Sequence, residues 1–197
     1  FFGENLQELI KKRSNDLYGI VNGIDYTVND PKTDKRLFAN YDQKDLSGKY
    51  INKKKLQQEL GLEIKADVPL VSLISRLVDQ KGLDLVKHML WELMDLGIQF
   101  VVLGTGEKQY EDFFIYAQSQ FPGRVSANIK YDGVLAQRIY AASDMYLMPS
   151  LYEPCGLSQL FAMRYGAVPV VRETGGLKDT VKPYNVFTKE GTGFTFA

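Results

Sequence analysis

Asp144-Met145-Tyr146-Leu147-Met148-Pro149-Ser150-Leu151-Tyr152-Glu153-Pro154-Cys155-Gly156-Leu157-Ser158-Gln159-Leu160-Phe161-Ala162-Met163-Arg164-Tyr165 decides the fold. Its opening apolar run reads as a buried parallel strand. The chain then turns at Glu153-Pro154-Cys155-Gly156 and enters a helix expected to carry Leu157, Leu160, Phe161 and Tyr165 on one face. Open α/β sheets bind ligands beyond the carboxyl ends of their strands, where a strand turns into a helix. A helix start also leaves backbone N–H groups unpaired, so Cys155, Gly156 and Leu157 are candidate donors to phosphate or sugar oxygens.

Working outward, the same alternation recurs. Residues 68–74, 99–103, 125–129 and 168–171 are short stretches rich in apolar residues that predict strands. Between them the spacing predicts helices over 83–94 (Leu85, Met89, Leu93 and Leu96 inward), 108–119, 134–142 and 177–181. This pattern implies an α/β fold with a doubly wound parallel sheet covered on both faces. Before it, residues 4–13 predict a helix with Leu6, Leu9 and Ile10 on one side. Residues 18–25 read as an apolar lead-in, and 26–50 as a polar loop pinned by Phe38, Tyr41 and Tyr50. Residues 51–60 predict a helix closed by Gly61.

At 197 residues, 45% hydrophobic and 24% charged, one domain with a full core is expected. The 24 basic and 24 acidic residues balance, which gives nucleic acid or an anionic membrane no electrostatic support. A single cysteine forms no internal disulfide and fits a reducing, cytoplasmic setting. No apolar run approaches the roughly 18 residues of a membrane span. The first residues do not look like a signal peptide, and both ends read as those of a fragment.

Arg76 and Lys81 lie five apart in the loop after the first regular strand, ahead of Gly82. If the chain turns there, both cations converge above the sheet and form a diphosphate site with the helix start; the alternative is two solvated surface charges. Gly104-Thr105-Gly106 lets backbone approach a ligand closely, but Gln109 stands where a dinucleotide motif needs its third glycine. That weighs against an oxidoreductase. Tyr131, at a strand's carboxyl end, either stacks on a base or packs on its own loop. Thr174-Gly175-Gly176 is a second small-residue turn at a strand end. Cys155 has no histidine near it, and the one histidine, His88, reads as packing or surface, so Cys–His catalysis and histidine-metal sites are unsupported.

Glu153-Pro154-Cys155-Gly156-Leu157 resembles a turn of bacterial glycogen synthases and plant starch synthases. Ser75-Arg76-Leu77-Val78-Asp79-Gln80-Lys81-Gly82-Leu83-Asp84, Leu103-Gly104-Thr105-Gly106, Arg138 to Asp144, Thr174-Gly175-Gly176-Leu177 and Tyr18 to Asp25 follow in that family's order. The resemblance implies the Rossmann-like C-terminal half of a two-domain GT-B glycosyltransferase. In these terms residues 1–17 are the remnant of a preceding segment and 18–197 the nucleotide-sugar-binding domain.

It further implies a retaining glucosyltransferase that extends an α-1,4-glucan from ADP-glucose without a metal or other cofactor. Its acceptor would be held by an N-terminal domain outside this chain. Arg76, Lys81 and Glu153 become the catalytic residues: the cations on the diphosphate, the carboxylate on the glucose. Donor contacts would come from Gly104, Thr105, Tyr131 (on adenine), Cys155, Gly156, Leu157, Ser158, Thr174, Gly175 and Gly176. Many relatives of this fold carry a second glutamate eight residues after the first; Phe161 stands there instead, as an aromatic commonly does in glycogen and starch synthases. No glycosidase-like carboxylate pair is therefore available in this segment. A UDP-glucose enzyme of the same fold and a non-catalytic nucleotide-binding module are the alternatives.

Overall fold

A computed structural model describes residues 5–197, so Glu4, the first residue of the expected leading helix, lies outside the described residues. Helix α1 (Gln7–Lys12) follows, then α2 (Ser47–Glu59), β1 (Leu70–Ile74), α3 (Leu83–Asp95), β2 (Gln99–Leu103) and α4 (Lys108–Gln120). β3 (Val125–Asn128), α5 (Gly133–Ala142), β4 (Met145–Met148), α6 (Ser158–Arg164), β5 (Val168–Arg172), α7 (Gly175–Thr180) and β6 (Phe194–Phe196) complete the order.

The six strands make one parallel sheet in the order β3-β2-β1-β4-β5-β6. The chain lays β1, β2 and β3 outward in one direction, then crosses back to place β4 on the other side of β1. The carboxyl ends of β1 and β4 therefore flank the point where the winding reverses, the crevice in which such sheets hold ligands. Alternate residues of each strand feed opposite layers. Val71, Leu73, Phe100 and Val102 pack on Val86, Leu90, Met94, Phe114 and Ala117 of α3 and α4. Leu70, Val101 and Leu103 face Leu56 of α2 and Leu135, Ile139 and Ala142 of α5. Tyr146, Met148 and Val171 pack on Ala162, Tyr165 and Leu177 of α6 and α7.

The parallel sheet agrees with the sequence reading, while several helical faces differ. α3 buries Leu83, Val86, Leu90 and Met94, whereas Met89 and Leu96 are exposed and Leu85 and Leu93 are half-buried. Apolar residues cover a wide arc of this helix, so two stripes satisfy its period and the sheet selects one. On α6 the inner face is Gln159 and Ala162, continuing to Tyr165 just beyond it; Leu157 is exposed and Leu160 and Phe161 are half-buried. α2 starts four residues before the expected helix, and its Tyr50 points to solvent rather than pinning the loop. Tyr41 does pin it: its buried hydroxyl donates to the Tyr165 carbonyl at 2.8 Å. Gly61 (φ 68°) ends α2, and Leu62 N–H returns to Gln57 O at 2.9 Å to complete a Schellman closure. α7 begins at Gly175, two residues before the expected start. Leu6, Leu9 and Ile10 of the α1 region, and Tyr18 and Ile20 of the apolar lead-in, are exposed.

Candidate functional site

At the reversal point a cleft of about 230 Å³ opens between the β1 and β4 carboxyl ends. Arg76, Lys81, Ser75, Ser150, Ser158 and Tyr146 are among its lining residues. Two loops build it. The first leaves β1 at Ser75 and closes in a 3₁₀ turn over Asp79–Lys81. It enters α3 through Gly82 at φ 66°. A side chain at Gly82 would stand 2.0 Å from the Pro149 carbonyl oxygen, so only glycine lets the two loops meet. The second loop, from Pro149 to Leu157, is tied to the first by Leu151 N–H on Gln80 O (2.9 Å) and by the Gln80 amide on Tyr152 O (3.3 Å).

Lys81 reaches across the cleft to Glu153, Nζ to Oε2 at 2.6 Å, both side chains being largely buried. Ser150 Oγ also donates to Glu153 Oε2, at 3.3 Å. The carboxylate thus has one oxygen doubly engaged. Among the described residues, Glu153 is the one hydrogen-bond acceptor of the Lys81 ammonium, which has three N–H groups. Arg76 lines the same cleft but is exposed, its guanidinium donating to Gln80 Oε1 at 3.2 Å. The expected convergence of two cations is therefore a shared cleft in which Lys81 is tied down and Arg76 remains at the rim.

Beyond Glu153, the buried Gln159 amide donates to the carbonyls of Cys155 (3.0 Å) and Gly156 (3.1 Å). In trans peptides the next N–H points the opposite way, so the N–H groups of Gly156 and Leu157 face away from the core. Cys155 Sγ accepts from Asn22 N–H at 3.3 Å, joining the lead-in segment to this turn. Gly175 and Gly176 pack against the same turn: a Cβ at either would lie 2.2 Å from Glu153 O or 2.3 Å from Cys155 Cα. Gly176 N–H donates to Glu153 O at 2.9 Å and Thr174 Oγ1 to Leu151 O at 3.3 Å.

The Gly104-Thr105-Gly106 segment is nearby, but its openness serves the chain itself. A Cβ at Gly104 would meet Ser75 O at 1.9 Å and one at Gly106 would meet Leu77 O at 2.3 Å. Thr105 is exposed. Tyr131 stands at the end of the edge strand β3 with its side chain 96% exposed, so it does not pack on its own loop. Phe161, in the place of a second glutamate, packs its ring 5.8 Å from Tyr140. His88 is exposed on α3, and among the described residues no three His, Cys, Asp or Glu side chains gather as metal ligands would. A larger cleft, about 920 Å³, lies elsewhere, between residues 22–46 and α6. Four of its charged groups are paired with one another, Arg164 with Asp30 (3.1 Å) and Lys32 with Asp42 (3.4 Å).

Sequence reasoning missed Gln80 and Gln159, which hold the site's backbone in shape, and Ser150, which donates to the Glu153 carboxylate. Their signal was present: each is a polar residue inside one of the motifs, and Gln159 occupies the inner face of α6 beside Ala162.

Fold and site together define a doubly wound α/β domain with a cationic, carboxylate-bearing cleft at the winding reversal. The family model for glycosyl transferases group 1 matches residues 53–197, and the chain belongs to that family. It is 55% identical over 196 residues to a glycogen synthase of Clostridium kluyveri and 56% identical over 196 residues to one of Clostridioides difficile, in each case over 100% of this chain and 41% of the relative. The chain thus spans about two fifths of the length of these relatives. Among solved structures, the catalytic domain of Arabidopsis thaliana starch synthase IV, bound to ADP and acarbose, superposes with a TM-score of 0.92 at 42% identity. That match covers 98% of this chain and 41% of that one.

Proposed function

We propose that this chain is the donor-binding domain of a retaining glucosyltransferase that lengthens an α-1,4-glucan from ADP-glucose. The observation that carries the reading is the Lys81–Glu153 pair at the reversal point, with Arg76 at the rim of the same cleft. The likeness to glycogen synthases and to an ADP-bound starch synthase supports it. Lys81 and Arg76 face the diphosphate and stabilise the charge that accumulates on it as the glycosidic bond to glucose breaks. Glu153 accepts sugar hydroxyls through the oxygen that Lys81 leaves free. The outward N–H groups of Gly156 and Leu157, with Cys155 and Ser158 beside them, complete the phosphate and sugar contacts. Thr174, Gly175 and Gly176 wall the sugar side, Gly104 and Thr105 close the nucleotide side, and Tyr131 stacks on the base. No metal is required, and the acceptor glucan binds to a part of the whole protein outside this chain, so the chain alone transfers no glucose.

Calorimetric titration with ADP, UDP and NAD, repeated on Arg76→Ala, tests the reading. ADP binding above the others, weakened in the variant, is expected. Tighter UDP binding keeps the class and changes the donor. NAD binding indifferent to Arg76 overturns the glycosyltransferase reading.

A further inference from the structure

The loop that carries Arg76 and Lys81 is fastened at three places, and one of them has no role in the chemistry described so far. Its start is fixed by Leu77, whose N–H donates to Thr105 O at 2.8 Å and whose carbonyl accepts from Glu107 N–H at 2.7 Å. Its far side leans on the Pro149–Leu157 turn through Gln80. The corner between them, the 3₁₀ turn, is held by Tyr110 of α4, whose hydroxyl donates to the Asp79 carboxylate. Tyr110 is 3% exposed and lies in the same cluster as Phe114 and Ala117, so it belongs to the rigid body of the domain. A phenylalanine would fill that apolar place without a polar atom to satisfy; the hydroxyl is accounted for by Asp79.

We infer that Tyr110 is a positioning residue for the donor diphosphate, acting through Asp79 on the turn that presents Lys81. This rests on the donor-binding reading above. Asp79 precedes Lys81 by two residues and follows Arg76 by three. Without its anchor the Asp79 carboxylate leaves the turn, and with it Lys81, unfixed. Held by the phenol in a charge-assisted bond, it is turned toward α4 and leaves Lys81 to Glu153 and the ligand. The Gln80 ties cannot replace this anchor, because they join the loop to the other loop of the cleft rather than to the core.

The test is calorimetric titration of ADP and of AMP into the chain, Tyr110→Phe, Asp79→Ala, Asp79→Asn and the Tyr110→Phe/Asp79→Ala double variant, with thermal unfolding measured alongside. Tyr110→Phe is expected to weaken ADP about tenfold and AMP, which lacks the second phosphate, less than about twofold. Asp79→Ala should give a similar loss, and the double variant no further loss, because one contact is being removed twice. Asp79→Asn, whose amide oxygen still accepts from the phenol, should regain most of the affinity. Unchanged ADP affinity in Tyr110→Phe, or an equal loss for AMP, overturns the inference even if the melting temperature falls. Absence of nucleoside diphosphate binding by the unsubstituted chain overturns the donor reading and the inference with it. Binding by the unsubstituted chain and by Tyr110→Phe alike overturns the inference alone.

Discussion

Two regions of this molecule hold lysines against acidic groups and carbonyls, and they use them in opposite ways. In the belt formed by residues 26–60, Lys53 Nζ donates to Asp144 Oδ2 (2.7 Å), Ala66 O (3.0 Å) and Val68 O (2.7 Å), which exhausts its donors. One turn earlier, Lys49 donates to the carbonyls of Ala141, Ser143 and Tyr165. At the reversal point Lys81 gives one bond to Glu153 and faces a cleft. The belt lysines close helix and strand ends against the core, whereas Lys81, with one protein acceptor, leaves N–H groups facing the cleft. What separates structure from function here is donor saturation rather than burial or charge.

Substitutions should split along that line. Lys53→Met leaves Asp144 and two carbonyls without their cation, and should cost about 3 kcal/mol in chemical denaturation while ADP affinity stays within about twofold. Lys81→Met should do the reverse, weakening ADP about a hundredfold by calorimetry with a stability change of about 1 kcal/mol, since one hydrogen bond is lost and Ser150 still donates to the Glu153 oxygen. Equal stability losses in the two would erase the distinction. Arg76→Ala, at the rim, should weaken ADP about tenfold and leave the melting temperature unchanged.

The smallest effect belongs to the belt. Burial pushes the Asp34 carboxyl up, but the Arg36 guanidinium and the Tyr165 hydroxyl outweigh it and hold the carboxyl below its ordinary range. A folded value below the unfolded one gives stability that is complete above about pH 4 and drains away as pH falls through the lowered value. Melting temperatures from pH 7 to pH 2.5 should fall for the unsubstituted chain. Asp34→Asn should start lower, by about 1 kcal/mol, and converge with it at the acid end. Parallel curves would show that Asp34 contributes no proton-linked stability.

The sheet was legible because continuous apolar runs such as Phe100-Val101-Val102-Leu103 suit a strand covered on both faces, and all four of those residues are buried. The helix faces were less so. α3 is apolar around most of its girth, and nothing in the order Leu83-Asp84-Leu85-Val86 says which leucine meets the sheet. Loop residues were harder still. Arg76, Lys81 and Glu153 stood out through their motifs, and the cleft brings all three together. That Lys81 would bind Glu153 while Arg76 stayed outside depends on the path set by Gly82 against Pro149, a contact 67 residues apart in sequence. Tyr50 and Tyr41 illustrate the same limit: two aromatics in one segment, of which the packing of α6 buries one. What Gln159 does depends on the fold, which brings Cys155 O, Gly156 O and Thr180 Oγ1 within hydrogen-bond distance of its amide nitrogen.

The order of the strands also works as a gauge. Neighbouring strands lie about 4.8 Å apart, so the ends of β1 and β3, with β2 between them, are separated by roughly 10 Å, and β4 lies one further step beyond β1. A molecule that touches Glu153, the cations and Tyr131 at once must therefore be long as well as charged, about 15 Å from end to end across three strand intervals. Pyrophosphate meets only the middle of that span and a free sugar only one edge. If the donor-binding reading holds, strand spacing sets the length of the ligand that engages every one of these groups.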